Sequence, residues 1–325
     1  SLEAVDSLLE AGFAPTRGIY LAFGHDEEVG GERGAAKLAA HLRDQGVRPE
    51  LILDEGGAIV EGALPGISEP VALVGVAEKG YRSVKLSVQL EGGHSSMPGP
   101  EGSISVLSEA LVAVQNNPMP RRLEAAPRRM LETLAPATDL GTRIVVRNLW
   151  LLEGVLLSVM GAQPAPAATI STTTALTIVH AGTKDNVLPA RAEATLNFRI
   201  LPGDDASSIV EHLREVIDDE RVEIEVLEGW APSQTSDSSA PAFAELQRLI
   251  AESFELRLVA PYLVVGATDA RHYADLSSQV YRFLPIHFHG EADRKRMHGT
   301  NERIRAEDAR RAAWFYRRVI ESFAG

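Results

Sequence analysis

GIYLAFGHDEEVGG, residues 18–31, joins an apolar run to a cluster of acids. GIYLAFG, residues 18–24, has the continuous apolar character of a buried parallel strand, and HDEE follows it directly. GGERGAAKLAAHLRDQG then predicts a helix, and PELILDEGG, residues 49–57, predicts a second buried strand that also ends in acids. This strand–helix–strand order predicts an α/β fold with a mostly parallel sheet.

The acids at the two predicted strand ends are Glu27, Glu28, Asp54 and Glu55. Ligand crevices in parallel α/β sheets lie outside the carboxyl ends of the strands, so we expect these side chains to meet there. Adjacent glutamates point in different directions, and one can bind a cation while the other handles a proton. Such a pair suits metal-assisted hydrolysis, although a solvated acidic turn is the alternative interpretation.

The sequence changes character from Tyr81, where YRSVKLSVQL alternates apolar and polar residues like a half-exposed antiparallel strand. ALTIVHAG, ARAEATLNFRI and RVEIEVLEG repeat this pattern, with helical segments between them. We therefore predict an α+β domain over residues 80–232, inserted between residues 1–79 and 233–325 of the larger domain. The last helix is predicted to bury Ala312, Phe315, Val319 and Phe323 on one face.

The overall composition excludes several classes of protein. The net charge of −13 argues against nucleic acid or an anionic membrane as a partner. The absence of cysteine excludes disulfides and thiolate zinc sites, and leaves His, Asp and Glu as the strong metal ligands. LWLLEGVLLSVM, residues 149–160, is too short for a membrane span and is interrupted by Glu153; it is interpreted as packing, or alternatively as the lining of an acyl pocket.

Histidines in three places are further candidates. His298, in RKRMHGTNERI, lies in an irregular stretch before the last helix, and His94, in EGGHSSMPGPEGS, lies in a tight polar loop. His287 and His289 alternate on a predicted strand in LPIHFHG. They could be ligands themselves, but are interpreted as structural residues or as residues that support a ligand.

Six motifs occur in the order seen in a known family: HDEEVGG, LDEGG, EGGHSSMPG, GTKDNVLPARAEATLNFR, GATDARHY and HGTNE. In this respect the chain resembles the di-zinc metallopeptidase family of aminoacylase, succinyl-diaminopimelate desuccinylase and glutamate carboxypeptidase, and is most similar to its carboxypeptidase S and Gly-Xaa carboxypeptidase branch. The resemblance implies a zinc-exopeptidase-like catalytic domain interrupted by a ferredoxin-like lid through which two copies dimerise. It also implies two Zn²⁺ ions per active site in the complete protein.

The resemblance assigns roles to single residues. Glu27 matches the general base, Glu28 a zinc ligand, Glu55 (with Asp54 as the alternative) another ligand, and His298 the C-terminal ligand. His94 matches the lid histidine that stabilises the oxyanion, in dimeric relatives from the opposite subunit. Asn186 and Arg199 match lid residues that contact the substrate. Arg271 matches the residue that grips a substrate carboxylate, for which a guanidinium fork is well suited.

One departure from the family pattern is expected to matter. The family's His-x-Asp motif and its bridging aspartate come before the helix that SLEAVDSLLEAGF resembles, and neither motif occurs in these 325 residues. The sequence therefore resembles an enzyme without its N-terminal part, with an incomplete zinc site, and we expect the chain by itself to be inactive.

Two functions are compatible with these patterns. The first is a zinc-dependent carboxypeptidase or amidohydrolase that cleaves the amide bond of dipeptides or N-acyl amino acids next to a free carboxylate. The second is a noncatalytic binding or assembly protein of the same fold with an incomplete metal site. The presence of a base together with metal ligands favours the enzyme.

Overall fold

A computed structural model of the chain describes residues 1–62, 64 and 66–325, with the side chains of Glu291 and Arg294 left out. The helices are α1 (Leu2–Glu10), α2 (Ala35–Asp44), α3 (Ser103–Asn116), α4 (Ala125–Leu134), α5 (Leu140–Arg147), α6 (Leu149–Gly161), α7 (Pro164–Ile170), α8 (Ala206–Ile217), α9 (Pro241–Phe254), α10 (Glu291–Arg294) and α11 (Ala306–Ala324). The strands are β1 (Ile52–Asp54), β2 (Ile59–Val60), β3 (Val71–Glu78), β4 (Gly80–Gln89), β5 (Gly93–His94), β6 (Thr173–Ala181), β7 (Val187–Leu188), β8 (Arg191–Ile200), β9 (Val222–Trp230), β10 (Leu258–Val264), β11 (Val280–Arg282) and β12 (His287–Phe288).

The chain divides into two compact units. The first comprises residues 1–78, 125–154 and 234–325, and the second comprises residues 79–124 and 155–233. Residues 125–154 fall within the predicted inserted domain, but the structure groups them with the first unit. The physical reason is the apolar face of α4, where Met130 and Leu134 pack with Val71 of β3 and Ala260 of β10.

The first unit is built on a six-stranded mixed sheet in which β1, β11, β3, β2 and β12 lie side by side and β10 also pairs with β3. The pairings β1–β11, β3–β10 and β2–β12 are parallel, and β3–β11 and β2–β3 are antiparallel. The sheet is therefore parallel in most of its pairings, as predicted. β3 is apolar nearly throughout and buried along most of its length, as expected of a central strand.

Aromatic side chains pack α11 against the rest of this unit. Phe315 is fully buried, with ring centroids 5.5 Å from Phe283 and 6.0 Å from Phe254. The other residues of the predicted apolar face, Ala312, Val319 and Phe323, are half-buried. The face is therefore the one that the sequence predicted, with Phe315 at its centre.

The second unit has the predicted α+β arrangement. Its antiparallel sheet has the order β6-β8-β4-β9, and α3 and α8 pack on it through a core that includes Val106, Leu107, Ile209 and Leu213. Along the chain the elements run β4, α3, β6, β8, α8 and β9, which is the βαββαβ order of ferredoxin-like domains. The alternating patterns that predicted these strands are confirmed, because β8 buries every second residue.

The predicted strand over residues 18–24 is wrong. This segment is irregular and exposed, with Tyr20 and Phe23 57% and 61% accessible. A strand needs hydrogen-bonded neighbours, and among the described residues none pairs with this segment. The apolar composition of residues 18–24 suits a buried strand, but composition does not reveal whether a neighbouring strand is present to pair with it.

The apolar segment 149–160 forms most of α6, and within the described structure it is only partly packed. Leu149 and Met160 are buried, whereas Trp150, Leu151 and Val159 are more than 60% exposed. No helix in the described part of the chain has both the length and the apolar character needed to cross a membrane.

Candidate active site

The acids predicted at two strand ends lie together in the first unit. Glu27 and Glu28 begin a 3₁₀ turn, Glu27–Val29, rather than ending a strand, and Asp54 ends β1 with Glu55 next to it. Successive residues of a 3₁₀ helix point about 120° apart, so the two glutamates still diverge. Burial, followed by the charges of Glu55 and Glu28, raises the pKa of Glu27 to about 7. The side chain of Glu27 is therefore partly buried and lies close to other acids.

The second strand end contributes Asp54, which is half-buried, and Glu55, which is exposed. Burial raises the pKa of Asp54, and one of its oxygens accepts a hydrogen bond from the backbone N–H of Glu55 at 2.9 Å. The other oxygen, Oδ2, is buried and makes no hydrogen bond within the described structure. The pKa of Glu55 is also raised, by burial and by the charges of Asp54 and Glu28, while His298 opposes the shift. These acids repel one another, and a cation between them relieves that repulsion.

His298 completes the group that the sequence predicted in this unit. Its Nδ1 lies 3.3 Å from Oε1 of Glu28, and both side chains are well exposed. The backbone of His298 has φ 56°, an uncommon conformation for a residue other than glycine, which bends the chain sharply at this point. The imidazole from residue 298 and the carboxylates from residues 27–55 therefore meet at one place in the fold.

The donor types fit zinc, because carboxylate oxygen and imidazole nitrogen are its usual ligands in a chain without cysteine. The buried, unbonded Oδ2 of Asp54 is a further acceptor at this place. In the part of the chain that the structure describes, however, Glu28, Glu55 and His298 do not form a group whose donor atoms all lie within 4.8 Å of one another. Side chains of the types that bind zinc therefore lie near one another, but the donor atoms of Glu28, Glu55 and His298 are too far apart for all three to bind one ion.

Asp269 is a member of the cluster that the sequence reasoning missed. Burial and the charge of Asp54 raise its pKa, and its charge in turn raises that of Glu27. A Cβ on Gly31 would lie 2.2 Å from Oδ1 of Asp269, so the loop after HDEE needs glycine there, and Gly31 also has φ 68°. The sequence signal for Asp269 was its position in GATDARHY, two residues before the candidate Arg271.

Arg271 lies beside the same loop. Its guanidinium donates a hydrogen bond to the carbonyl oxygen of Gly30, and Nε2 of His272 lies 2.9 Å from that oxygen. Thr268 begins this turn, because its side chain accepts a hydrogen bond from the N–H of Ala270. The predicted carboxylate-binding arginine is thus held at the edge of the acid cluster.

His94 and Asn186 lie together in the second unit. The short strands β5 and β7 pair His94 with Val187, and the carbonyl oxygen of Asn186 accepts a hydrogen bond from the N–H of Ser95. The N–H of Ser96 donates to Nδ1 of His94 at 3.2 Å, so Nδ1 is the acceptor and the neutral ring carries its proton on Nε2. The exposed loop therefore presents an imidazole N–H donor.

Arg199 lies on β8 of the four-stranded sheet, whereas His94 lies on the separate two-stranded sheet formed by β5 and β7. Arg199 pairs in register with Tyr81 at the start of β4, and its guanidinium lies 5.0 Å from the centre of the Tyr81 ring. His94 follows the end of β4, where Gln89 pairs with Arg191. Eight residues of strand separate Arg199 from Arg191, a distance of about 26 Å. Within the second unit, the structure brings His94 and Asn186 together but keeps Arg199 apart from them.

The chain is similar to known proteins over nearly its whole length. Residues 76–225 match the peptidase dimerisation domain family. The probable carboxypeptidase S-like 2 of Dictyostelium discoideum is 40% identical over 324 residues, which cover 99% of this chain and 62% of that protein. The N-fatty-acyl-amino acid synthase/hydrolase PM20D1 of Xenopus tropicalis is also 40% identical, over 99% of this chain and 63% of that protein.

The same fold is found in a solved structure. An M20 family metallo-carboxypeptidase from Sulfolobus solfataricus superimposes with a TM-score of 0.58 at 14% identity, covering 92% of this chain and 68% of that one. Together these similarities bear out the family resemblance read from the six motifs. The chain spans slightly less than two thirds of the length of the two curated relatives.

Proposed function

We propose that the protein is a zinc-dependent hydrolase of the M20 peptidase family that cleaves an amide bond next to a free carboxylate. The substrates are dipeptides or N-acyl amino acids, in line with the names of the relatives. The observation that carries the proposal is the carboxyl group of Glu27, with a pKa of about 7, placed among acids and an imidazole of the types that bind zinc.

Glu28, Glu55 and His298 are the proposed zinc-binding residues, with Asp54 as the alternative at the second position. Zinc at such a site polarises the substrate carbonyl and makes water acidic enough to react near neutral pH. Because the three donors do not all approach within 4.8 Å of one another, we propose that these 325 residues alone hold zinc weakly and turn over little substrate. A working site of two Zn²⁺ ions belongs to the complete protein.

Glu27 is the proposed general base. Its carboxylate oxygen takes a proton from the attacking water and passes it to the nitrogen of the leaving amine. A pKa near the working pH serves both steps, because the group must accept the proton and then release it. Burial, together with the charges of the neighbouring acids, raises this pKa, since both make the charged form of Glu27 less favourable.

His94 is the proposed oxyanion donor. Its Nδ1 accepts the N–H of Ser96, and the proton on Nε2 is directed to another acceptor. A preset N–H donor stabilises the negative charge that develops on the carbonyl oxygen during attack. Asn186, next to His94, is proposed to contact the substrate. Arg199 is proposed to contact the same substrate from the other copy of a dimer, because within one chain it lies apart from His94 and Asn186.

Arg271 is proposed to bind the substrate carboxylate. The hydrogen bond to Gly30 orients its guanidinium, which presents five N–H donors in a planar fork. Such a fork pairs with both oxygens of a carboxylate, whereas lysine offers only a point charge.

We also propose that the protein forms a homodimer through the second unit, which carries the dimerisation domain. β6 is an edge strand of its sheet and exposes Leu176, Ile178 and Val179, of which Val179 is 58% accessible. Exposed apolar edge strands are suited to pairing with a second copy in a twofold arrangement. Light scattering of the wild type and of an Ile178→Lys variant tests this contact.

A noncatalytic binding protein of the same fold is the alternative, and the spread of the three zinc donors favours it. Zinc analysis and turnover of the native protein against Gly-Xaa dipeptides and short- and long-chain N-acyl amino acids separate the two functions. The enzyme releases amino acid from some of these substrates and loses this activity when a chelator removes the metal. A protein that is fully loaded with zinc and releases none is the binding protein.

A further inference from the structure

A second group of potential ligands lies where the short strands β2 and β12 meet. They pair in parallel, with His287 opposite Ile59 and Phe288 opposite Val60. Continuing this register places His289 beside Glu61. Because side chains alternate along a strand, His287 and His289 point to one face of the sheet, and Glu61 joins them from the neighbouring strand.

The observed distances agree with this arrangement. Nε2 of His287 lies 3.5 Å from Oε1 of Glu61, and Nδ1 of His289 lies 3.7 Å from the same oxygen. The centres of the two imidazole rings are 3.8 Å apart, and the ring planes are tilted by 33° to each other. In the described part of the chain, this is the group of three acidic or imidazole side chains whose donor atoms all lie within 4.8 Å of one another.

These separations are those of ligands around an ion. Zinc binds imidazole nitrogen and carboxylate oxygen at about 2.0–2.2 Å, and at tetrahedral angles two such donors lie about 3.3–3.6 Å apart. Hydrogen-bonded N···O pairs are shorter, typically about 2.7–3.2 Å. The two measured N···O distances, 3.5 and 3.7 Å, are therefore closer to ligand spacing than to that of hydrogen bonds, and the donor atoms of all three side chains lie within 4.8 Å of one another.

The bonding of His287 points the same way. Its Nε2 is buried and makes no hydrogen bond in the described structure. Burying a polar atom without a hydrogen bond costs folding free energy, and a bound ion or water is a usual reason for such an atom. The side chain of Glu61 is 42% exposed and that of His289 is 29% exposed, which leaves an ion a path to the group.

We propose that Glu61, His287 and His289 form a binding site for a divalent transition-metal ion of the zinc type, with water completing the coordination. Two imidazoles and one carboxylate favour zinc and its neighbours over magnesium or calcium, which prefer all-oxygen sites. The site shares no residue with Glu28, Glu55 and His298. The proposed site links β12, an edge strand with only two paired residues, to its neighbour β2. A bound ion therefore stabilises this edge of the sheet.

The site is tested by metal binding in a protein whose strand-end ligands are disabled. In a Glu28→Gln/Glu55→Gln background, after chelator treatment, equilibrium dialysis with Zn²⁺ is expected to show one bound equivalent, and Co²⁺ to give the visible absorption of a tetrahedral site. Adding His289→Gln is expected to raise the Kd for Zn²⁺ at least tenfold and to abolish the zinc-induced rise in Tm. Adding His41→Gln, an exposed histidine on α2, is the matched control and leaves both unchanged.

Glu61→Gln is a second test that preserves the shape of the side chain and leaves both histidines in place. It is also expected to weaken Zn²⁺ binding at least tenfold. Unchanged Zn²⁺ affinity and stoichiometry in both the His289→Gln and Glu61→Gln proteins overturn the proposal. Because metal binding is measured rather than turnover, this result is independent of whether the protein is a hydrolase.

Discussion

Arg282 donates from Nε to Oε2 of Glu78 at 3.1 Å, and the two side chains are 1% and 2% exposed. The pair joins β11 to the end of β3. The same carboxylate oxygen accepts hydrogen bonds from the N–H and the hydroxyl of Thr268, at 3.1 and 2.9 Å. Thr268 begins the turn that carries Asp269 and Arg271, so a buried ion pair in the core positions one wall of the candidate site.

Breaking this pair is expected to destabilise the protein strongly. Arg282→Met leaves the carboxylate of Glu78 buried without its cation, which typically costs about 3–5 kcal/mol. Urea unfolding measures the loss. Arg311→Met is the matched control, because it removes an arginine from an exposed pair with Glu307 and is expected to cost about 1 kcal/mol or less. Equal losses in the two variants contradict the role given to the buried pair.

The acid cluster is expected to make stability depend on pH. Burial and the neighbouring acids raise the pKa of Glu27 to about 7 in the folded protein, from its ordinary value of 4.5. Between these values the folded state binds the proton more tightly than the unfolded chain, so stability falls as pH rises through this window. Glu27→Gln removes the charge and is expected to raise the Tm of the metal-free protein at pH 8 more than at pH 5.

The control for this prediction is Glu220→Gln, an exposed glutamate in the second unit. Its effect on Tm is expected to be the same at both pH values. If Glu27→Gln also changed the Tm equally at pH 5 and pH 8, burial and the neighbouring acids would not raise the pKa of Glu27 in the folded protein.

His94→Ala is expected to lower kcat by about 10²–10³ in the zinc-loaded native protein, because the loss of one oxyanion donor typically has this effect. The zinc content should not change, since His94 is not a proposed ligand. Ser96→Ala is the comparison, because it removes the hydroxyl that lies 2.8 Å from Nδ1 but keeps the backbone N–H that donates to this atom. Full turnover by His94→Ala would exclude the oxyanion role.

Arg271→Lys is expected to raise KM about tenfold or more for substrates with a free carboxylate, because a fork with two donors is replaced by a point charge. A substrate analogue with a carboxamide in that position should bind both proteins alike. Thermal unfolding of the variant shows whether loss of the contact with Gly30 has disturbed the loop. The same KM for the carboxylate substrate in both proteins argues against this contact.

Much of the fold was accessible from the sequence because its signals were local. The period-two pattern of residues 191–200 predicted β8, and the predicted apolar face of the last helix contains the buried Phe315. Glu27, Glu28, Asp54 and Glu55 were predicted to converge, and in the structure the charges of Glu28, Asp54 and Glu55 contribute to the raised pKa of Glu27.

The sequence did not reveal which strand or helix each element pairs with or packs against. Residues 18–24 are apolar enough for a strand but have no neighbouring strand in the described structure, and α4 joins the first unit through contacts distant in sequence. Asp269 and the cluster of Glu61 with two histidines were missed for the same reason. Both depend on strand register and tertiary packing, which alternation and motif spacing do not encode.

Glu27 is proposed to move the proton while other residues hold the metal. The decisive experiment measures turnover and zinc content of the native protein carrying Glu27→Gln, assayed on a substrate that the wild type hydrolyses. Unchanged zinc content and a kcat lower by about 10²–10⁴ are expected. Wild-type turnover at full zinc content would contradict this role of Glu27.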